Sequence, residues 1–506
     1  MEPSSLSRSH QWQSAIALMI ATAMQALDAT IANVALPQLE QSLGGGVDLG
    51  SWVMTSYVCA SAVMATLTGW LRRRCGARRL FIGSISLFVI ASALCAVAPS
   101  AVTLIQFRLL QGAAAGVIQP LSQAILLDIY PEKDHGRMLA IWGATIMAGP
   151  IMGPILGGAI TDLASWRWIF PLNIPLGLFA VLGLRRTPRL EERSADSRID
   201  CVGIVLLVVG VGSLQLALQR SIGQLWPVSP EVMVEATLAI FAFIAIVLHG
   251  ARNQFSLFKF QVFGNINFAT SAFYNFFVGG LLFTTIVFLP ALSEGPLGYD
   301  ATQAGLALSP RGIGTMATML TVGYWINRID NRALLAAGLL ITAGGLALMS
   351  LTPAHGGDLW LAAANAVQGI GVGLLFTPLS TLAFSTLGAE LRTDAAGVYN
   401  LLRQLGCAAG VAIMTAVLQA RIQAHLLAFP GHSETGAGSL PEAADMAAFA
   451  AYTGCFRMMA AVTVMIVPGI LFFRVLRPAN DKVLPSAAYP VTVKRSRPTL
   501  PPRSAE

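Results

Sequence analysis

Apolar residues run along this chain in long unbroken stretches, without the strict alternation of a half-buried strand or the one-sided stripe of a surface helix. Each stretch is about as long as the ~20 residues an α-helix needs to cross the ~30 Å hydrocarbon core of a bilayer. They fall near 14–36, 50–71, 80–98, 101–127, 138–160, 169–185, 200–218, 232–250, 268–290, 304–326, 333–351, 359–386, 399–421 and 451–474. The pattern predicts an all-α polytopic membrane protein with 14 transmembrane helices. Lysine and arginine set the orientation, because the cytoplasmic loops of membrane proteins collect them. With the start of the chain inside, 25 of the 32 basic residues fall in cytoplasmic segments, and Arg167, Arg220 and Arg421 fall in outer loops. One missed helix would scramble this alternation. The split therefore supports the count and places the N- and C-termini in the cytoplasm.

The chain also repeats itself. "VQGIGVGLLFTPLS" at 367–380 resembles "LQGAAAGVIQPLS" at 110–122, aligning Gln368 and Gly369 with Gln111 and Gly112. "GYWINRIDNRAL" at 323–334 faces "GWLRRRCGARRL" at 69–80 at about the same separation. Two matches at one offset predict an N-terminal six-helix bundle over 14–185 and a C-terminal six-helix bundle over 268–474, with two linker helices inserted at 200–250. Residues 1–13 are expected to form a cytoplasmic N-terminus, and the first apolar stretch is read as a retained helix, not a cleaved signal. Residues 422–450 are expected as a long acidic outer loop. Residues 475–506 are expected as a disordered, basic, Pro-rich cytoplasmic tail near anionic headgroups. Parallel six-helix halves around a central site are the architecture of a secondary transporter working by alternating access.

Composition narrows the function. Charged residues make up 11% and hydrophobic ones 55%, against about 25% charged in soluble domains, so the lipid bilayer is the chain's solvent. The net charge of +7 would suit nucleic acid, but basic cytoplasmic loops account for it and no nucleic-acid partner is expected. The six cysteines are scattered without metal-ligand spacing, so no metal site is expected. No phosphate-binding glycine loop is present. The expected energy source is a proton gradient, with no cofactor. His249 alone lies near a span, which leaves no constellation for an enzyme.

Several motifs in order resemble the major facilitator superfamily, in its fourteen-helix drug:proton antiporter branch of EmrB/QacA type, closest to EmrB-like multidrug exporters. "LDATIANVALP" (27–37) is similar to that branch's first-helix signature, and "RLLQGAAAG" (108–116) to its fourth-helix motif with a buried arginine. "GPIMGPILGG" (149–158) fits the fifth-helix antiporter motif, and "WRWIFPLNIPLG" (166–177) and "LLRQLG" (401–406) also look like this branch. The resemblance covers about residues 14–475. It implies proton-driven efflux of small-molecule drugs across the bacterial inner membrane. In double-membraned bacteria it also implies a periplasmic adaptor protein and an outer-membrane channel, although the sequence shows no unmistakable docking surface for them. The loop after the second span departs from the superfamily pattern. Arg73 stands four residues beyond Gly69, where an aspartate is usual, which puts that loop's gating charge pair in doubt.

Asp28 and Arg108 carry the candidate chemistry. Counted from their helix ends, both lie about 10 Å below the outer edge of the hydrocarbon, so opposite charges in one half share a depth. Each alone would cost at least ~2.5–3.5 kcal/mol at mid-membrane. They are expected as an ion pair or in a wet cavity. One reading is a static structural pair. The other is a proton-coupled switch, in which Asp28 carries the proton and Arg108 tunes it.

Gly149, Gly153 and Gly157 form a side-chain-free stripe, with Gly158 and the kinking Pro154. That stripe is expected to pack against the other half and seal the cavity, with simple helix packing as the overlapping alternative. Gly69, Arg73, Gly76 and Arg78 mark a cytoplasmic gating loop. Candidate cavity residues are Gln25, Asn33, Trp52, Tyr57, Gln111, Gln119, Asn275, Asn365 and Arg311, each with helix packing as its alternative. Arg403 and Arg457 are expected to snorkel to an interface. Embedded acids are nearly limited to Asp28 while several arginines are buried, which disfavours divalent cations as cargo and favours weak acids, uncouplers or neutral drugs. A dedicated metabolite, fatty-acid or siderophore exporter on the same fold is the alternative.

Overall fold

The computed structural model describes residues 8–43, 49–184, 200–221, 229–252, 260–299, 301–326, 328–353, 357–428 and 440–474. Among the described residues the secondary structure is wholly helical. The helices are α1 (Arg8–Leu43), α2 (Leu49–Cys75), α3 (Ala77–Ala96), α4 (Ala101–Ile129), α5 (Glu132–Leu163), α6 (Asn173–Leu184) and α7 (Cys201–Ser221). They continue with α8 (Pro230–Arg252), α9 (Ile266–Glu294), α10 (Ala301–Trp325), α11 (Asn331–Met349), α12 (Asp358–Ser385), α13 (Ala389–Ala428) and α14 (Leu440–Ile466). Eleven segments of the described chain are long and apolar enough to cross a membrane. α10, broken chemically by Pro310 and Arg311, is not among them.

Local chemistry sets several ends. The Ser100 side chain accepts from the Thr103 N–H in a reciprocal capping box that starts α4. Asn265 Oδ1 accepts from Asn267 and Phe268 at the start of α9, and Asp330 caps α11.

The packing repeats along the chain. α2 and α3 flank α4, and α1 lies on α5; likewise α10 and α11 flank α12, and α9 lies on α13. Across the two series, α5 packs on α10 and α2 on α13. Small residues permit the tightest crossings. A Cβ on Gly112 of α4 would lie 2.3 Å from the Tyr57 carbonyl oxygen of α2, and one on Gly369 of α12 would lie 2.2 Å from the Arg311 carbonyl oxygen of α10. Backbone cannot yield as a flexible side chain does. Gly112→Ala is therefore expected to destabilise the protein by about 1–3 kcal/mol, the range of an overpacked core. Thermal unfolding in detergent checks this; a midpoint within error of wild type would show that α2 and α4 separate easily.

The structure corrects four expectations. The cytoplasmic gating loop shrinks to one residue. α2 runs on through Arg72, Arg73 and Arg74, and Gly76 at φ 82° turns the chain directly into α3, a left-handed conformation that glycine adopts without a Cβ penalty. Gly69 and Arg73 are thus on α2 and Arg78 is in the first turn of α3. The sixth span is divided: a 3₁₀ turn (Trp166–Ile169) precedes α6, with Pro171 removing a backbone donor at the break. α1 begins at Arg8, inside the segment expected to be extramembrane. The expected outer loop at 422–450 is largely consumed by the ends of α13 and α14, leaving 429–439 outside the described residues. The tail at 475–506 also lies outside them.

Candidate functional site

Asp28 sits deep in α1, a 36-residue helix, and is 1% exposed. Arg108 of α4 is wholly buried, and its Nη1 donates to Asp28 Oδ2 at 2.8 Å. Gln111, one turn along α4, donates from Nε2 to Asp28 Oδ1 at 2.8 Å and accepts from Arg108 Nη1 at 2.9 Å. The i, i+3 spacing of Arg108 and Gln111 puts both on one face of α4, so a single helix face supplies two of the carboxylate's donors. The guanidinium carbon lies 4.3 Å from the centre of the Tyr57 ring on α2, a cation–π contact. Arg108 Nε and Nη2 have no hydrogen-bond partner, so the ring face is the neighbour that offsets part of their desolvation.

A third donor escaped the sequence reading. Asn173 Nδ2 donates to Asp28 Oδ1 at 2.7 Å and to Ser92 Oγ of α3 at 2.9 Å, and Ser92 Oγ donates to the Phe170 carbonyl at 2.9 Å. Asn173 opens α6 at the break just described. The division of the sixth span therefore delivers an amide to the carboxylate. The signal was present, an asparagine between Pro171 and Pro175 in an otherwise apolar run, but periodicity alone assigns it no partner. Asn173→Leu is expected to cost about 1–3 kcal/mol, the penalty of unsatisfying a buried acceptor, read as a lowered midpoint of thermal unfolding. An unchanged midpoint would mean that Gln111 and Arg108 suffice.

The glycine stripe turns in a different direction from the one expected. Cβ atoms on Gly149 and Gly153 would lie 2.5 Å from the Ala26 backbone and 2.2 Å from Thr30 Oγ1, and Thr30 Oγ1 donates to the Gly149 carbonyl at 2.9 Å. The stripe therefore packs on α1, on either side of Asp28, and not on the second series of helices. The opposite face of α5 makes that contact: Ile151 fills the space beside Gly312 of α10, and Gly143 sits at Met319. A four-residue repeat fixes one face of a helix without saying which neighbour it meets. Gly157 is buried, Gly158 meets open space, and the side chain of Pro154 lies outside the described residues.

The remaining candidates divide. Tyr57 and Gln111 join the Asp28 site. Asn275 donates to the Tyr399 carbonyl at 2.7 Å and Asn365 to the Leu361 carbonyl at 3.0 Å, both packing bonds. Trp52 is exposed, and Gln25, Gln119 and Arg311 are half-buried. The side chain of Asn33 lies outside the described residues. Arg403 lies well inside α13, since that helix starts at Ala389, and Arg457 lies mid-way along α14 with an exposed side chain.

At the other end of α2, Arg73 Nη1 donates to both oxygens of Asp394 on α13, at 2.5 and 2.7 Å. Arg72 pairs with Asp128 of α4 at 2.5 Å. A Cβ on Gly69 would collide with the Asp394 carboxylate, so that glycine makes room for the acid. The charge pair put in doubt by the missing aspartate is present with its signs reversed, basic on α2 and acidic on α13. The acid came from a stretch read as loop.

Comparison with known proteins agrees with this architecture. A family model described as the Major Facilitator Superfamily matches residues 18–411. The multidrug export protein EmrB of Haemophilus influenzae is 38% identical over 402 residues, 79% of each chain. The EmrB of Escherichia coli K12 is 37% identical over 81% of this chain and 80% of its own. The fatty acid resistance protein FarB of Neisseria gonorrhoeae is 33% identical over 85% of each. Among solved structures, the proton:xylose symporter XylE shares the fold at a TM-score of 0.59 and 13% identity, over 91% of this chain and 96% of that one.

Proposed function

The chain belongs to the major facilitator superfamily, and from that premise we propose that it expels hydrophobic or amphipathic drugs in exchange for protons by alternating access. It is a multi-pass inner-membrane protein that resembles exporters of small molecules. In the proposal all fourteen helices cross the bilayer, both termini face the cytoplasm, and six-helix halves flank two linker helices. A periplasmic adaptor and an outer-membrane channel would complete the route in a double-membraned cell.

The observation that carries the proton step is the closure of Asp28. Its two oxygens accept three hydrogen bonds and meet almost no solvent. A proton cannot join that carboxylate while Arg108 occupies Oδ2, so uptake requires α1 and α4 to part. α1 is held by the glycine stripe of α5, whose far face bears on α10. Sliding of α5 on α10 as access alternates would therefore act on the helix carrying Asp28. Protonation removes the attraction to Arg108 and favours the parted state; deprotonation favours the closed one.

The test is ethidium efflux from proteoliposomes holding the full-length chain, driven by an imposed pH gradient. Gradient-dependent efflux that an uncoupler abolishes is expected; efflux indifferent to the gradient would sink the proton-coupled reading. A dedicated fatty-acid exporter is the second reading, favoured by the 33% identity to a fatty acid resistance protein. Export of decanoate without export of ethidium would select it.

A further inference from the structure

The duplicated packing sets a second polar cluster against the Asp28 site, and its charges do not match. At a constant offset of 257 residues, Asp28 corresponds to Thr285, Arg108 to Asn365 and Gln111 to Gln368. At an offset of 254, Tyr57 corresponds to Arg311 and Ser61 to Thr315. The contacts keep this register. Gly112 abuts Tyr57 as Gly369 abuts Arg311, and Gly116 abuts Ser61 as Gly373 abuts Thr315. Even the amide bond recurs, with Gln111 reaching Asp28 and Gln368 Nε2 donating to Thr285 Oγ1 at 3.2 Å.

The ionic groups do not recur. The acid's position holds a threonine, and the guanidinium has moved from α4's counterpart to α10. Arg311 Nη1 is buried without a hydrogen-bond partner, as are Asn365 Oδ1 and Gln368 Oε1. Among the described residues Arg311 takes part in no ion pair. A guanidinium keeps its charge under all ordinary conditions and is costly to leave uncompensated inside a bilayer. Positions 311 and 365 face each other by register, because in the first series Arg108 lies over Tyr57.

We infer that Arg311 anchors the anionic head group of an exported compound, with Asn365 and Gln368 as flanking amides, so that amphipathic anions such as long-chain carboxylates are substrates. This inference rests on the export reading above and names a substrate class for it. The site is mechanically joined to Asp28. Ile151 of α5 packs at Gly312, next to Arg311, while Gly149 and Gly153 of the same helix grip α1 beside Asp28. A ligand that draws α10 inward would bear on α5 and, through it, on the proton site.

The experiment compares binding and proteoliposome transport of radiolabelled decanoate and of ethidium by full-length wild type, Arg311→Gln and Arg311→Lys. Arg311→Gln is expected to weaken decanoate binding about ten- to a hundredfold, the effect of losing a charge-assisted hydrogen bond, and to leave ethidium within about twofold. Arg311→Lys is expected to recover part of the decanoate affinity and none of the bidentate geometry. Equal losses for both probes, or undiminished decanoate binding, would overturn the inference. Should Arg311→Gln fail to accumulate, Thr285→Asp decides: an acid at the position matching Asp28 supplies an internal counter-ion and is expected to lower decanoate affinity about tenfold, and an unchanged affinity overturns the proposal. A wild type that exports neither probe fails the export reading. One that exports ethidium on a proton gradient but ignores decanoate fails this inference alone.

Discussion

Asp28→Asn is expected to lower gradient-driven efflux to about 1% of wild type or less, a loss of roughly 2.7 kcal/mol or more in driving the coupled step. The carboxylate is the group at which three helices converge, and it is the one acid in that cluster. Asparagine preserves the volume and one acceptor but cannot bind and release a proton. It also turns an amide donor toward Arg108 or toward Asn173, and leaves a buried guanidinium without its counter-ion. Breaking such a pair from one side costs about 3–5 kcal/mol, so a loss of transport could arise from misfolding alone. The double variant Asp28→Asn/Arg108→Gln separates the two causes. Removing both charges relieves the unpaired cation, and stability is expected to rise above that of Asp28→Asn while transport stays uncoupled. If the double variant recovers gradient-driven efflux, the pair holds the helices together and carries no proton.

How far this site could be read from sequence follows from what each signal encodes. Hydrophobic run length finds helices because the bilayer imposes one length on all of them, so 14 apolar runs anticipate α1 to α14 closely. It fails at the ends, since a helix can continue into water. α1, α13 and α14 all overrun their predicted spans by several residues. Depth counting brought Asp28 and Arg108 together because their separation depends on helix rise alone. It could not supply Asn173, whose position depends on a break in α6 and not on an uninterrupted rise. The glycine stripe showed a face without a partner, and the partner proved to be α1. The Arg73–Asp394 pair joins residues 321 positions apart, beyond any local pattern. The repeat, however, was legible, and once aligned it placed Arg311 opposite Tyr57 with no further information.

Charge reversal at Arg73 or Asp394 is expected to be nearly as damaging as loss of Asp28, and pairing the two reversals is expected to undo it. α2 and α13 meet where the basic loops cluster, and Gly397 of α13 abuts the Ala65 carbonyl of α2 one turn deeper. The matching contact between α10 and α5 lies at the same end, where Arg137 stands 5.6 Å from the centre of the Tyr324 ring. At the 257-residue offset Arg137 corresponds to Asp394, so an ion pair closes one seam and a cation–π contact the other. Asp394 is 4% exposed and Arg73 30%, a partly desolvated pair with geometry too good for an incidental surface contact. Asp394→Arg would set two guanidiniums against each other, at a cost of several kcal/mol. The seam would then fail to close, and transport is expected to fall about ten- to a hundredfold. Arg73→Asp should do the same by opposing two carboxylates. In Arg73→Asp/Asp394→Arg the attraction returns with its polarity exchanged, and efflux is expected to recover to within about fivefold of wild type. A cysteine at Ala65 should mirror this, reacting with a membrane-impermeant maleimide in the single variants and shielded again in the double one. A double variant as inactive and as reactive as either single would show that the seam depends on the particular side chains and their surroundings, not on the attraction between them.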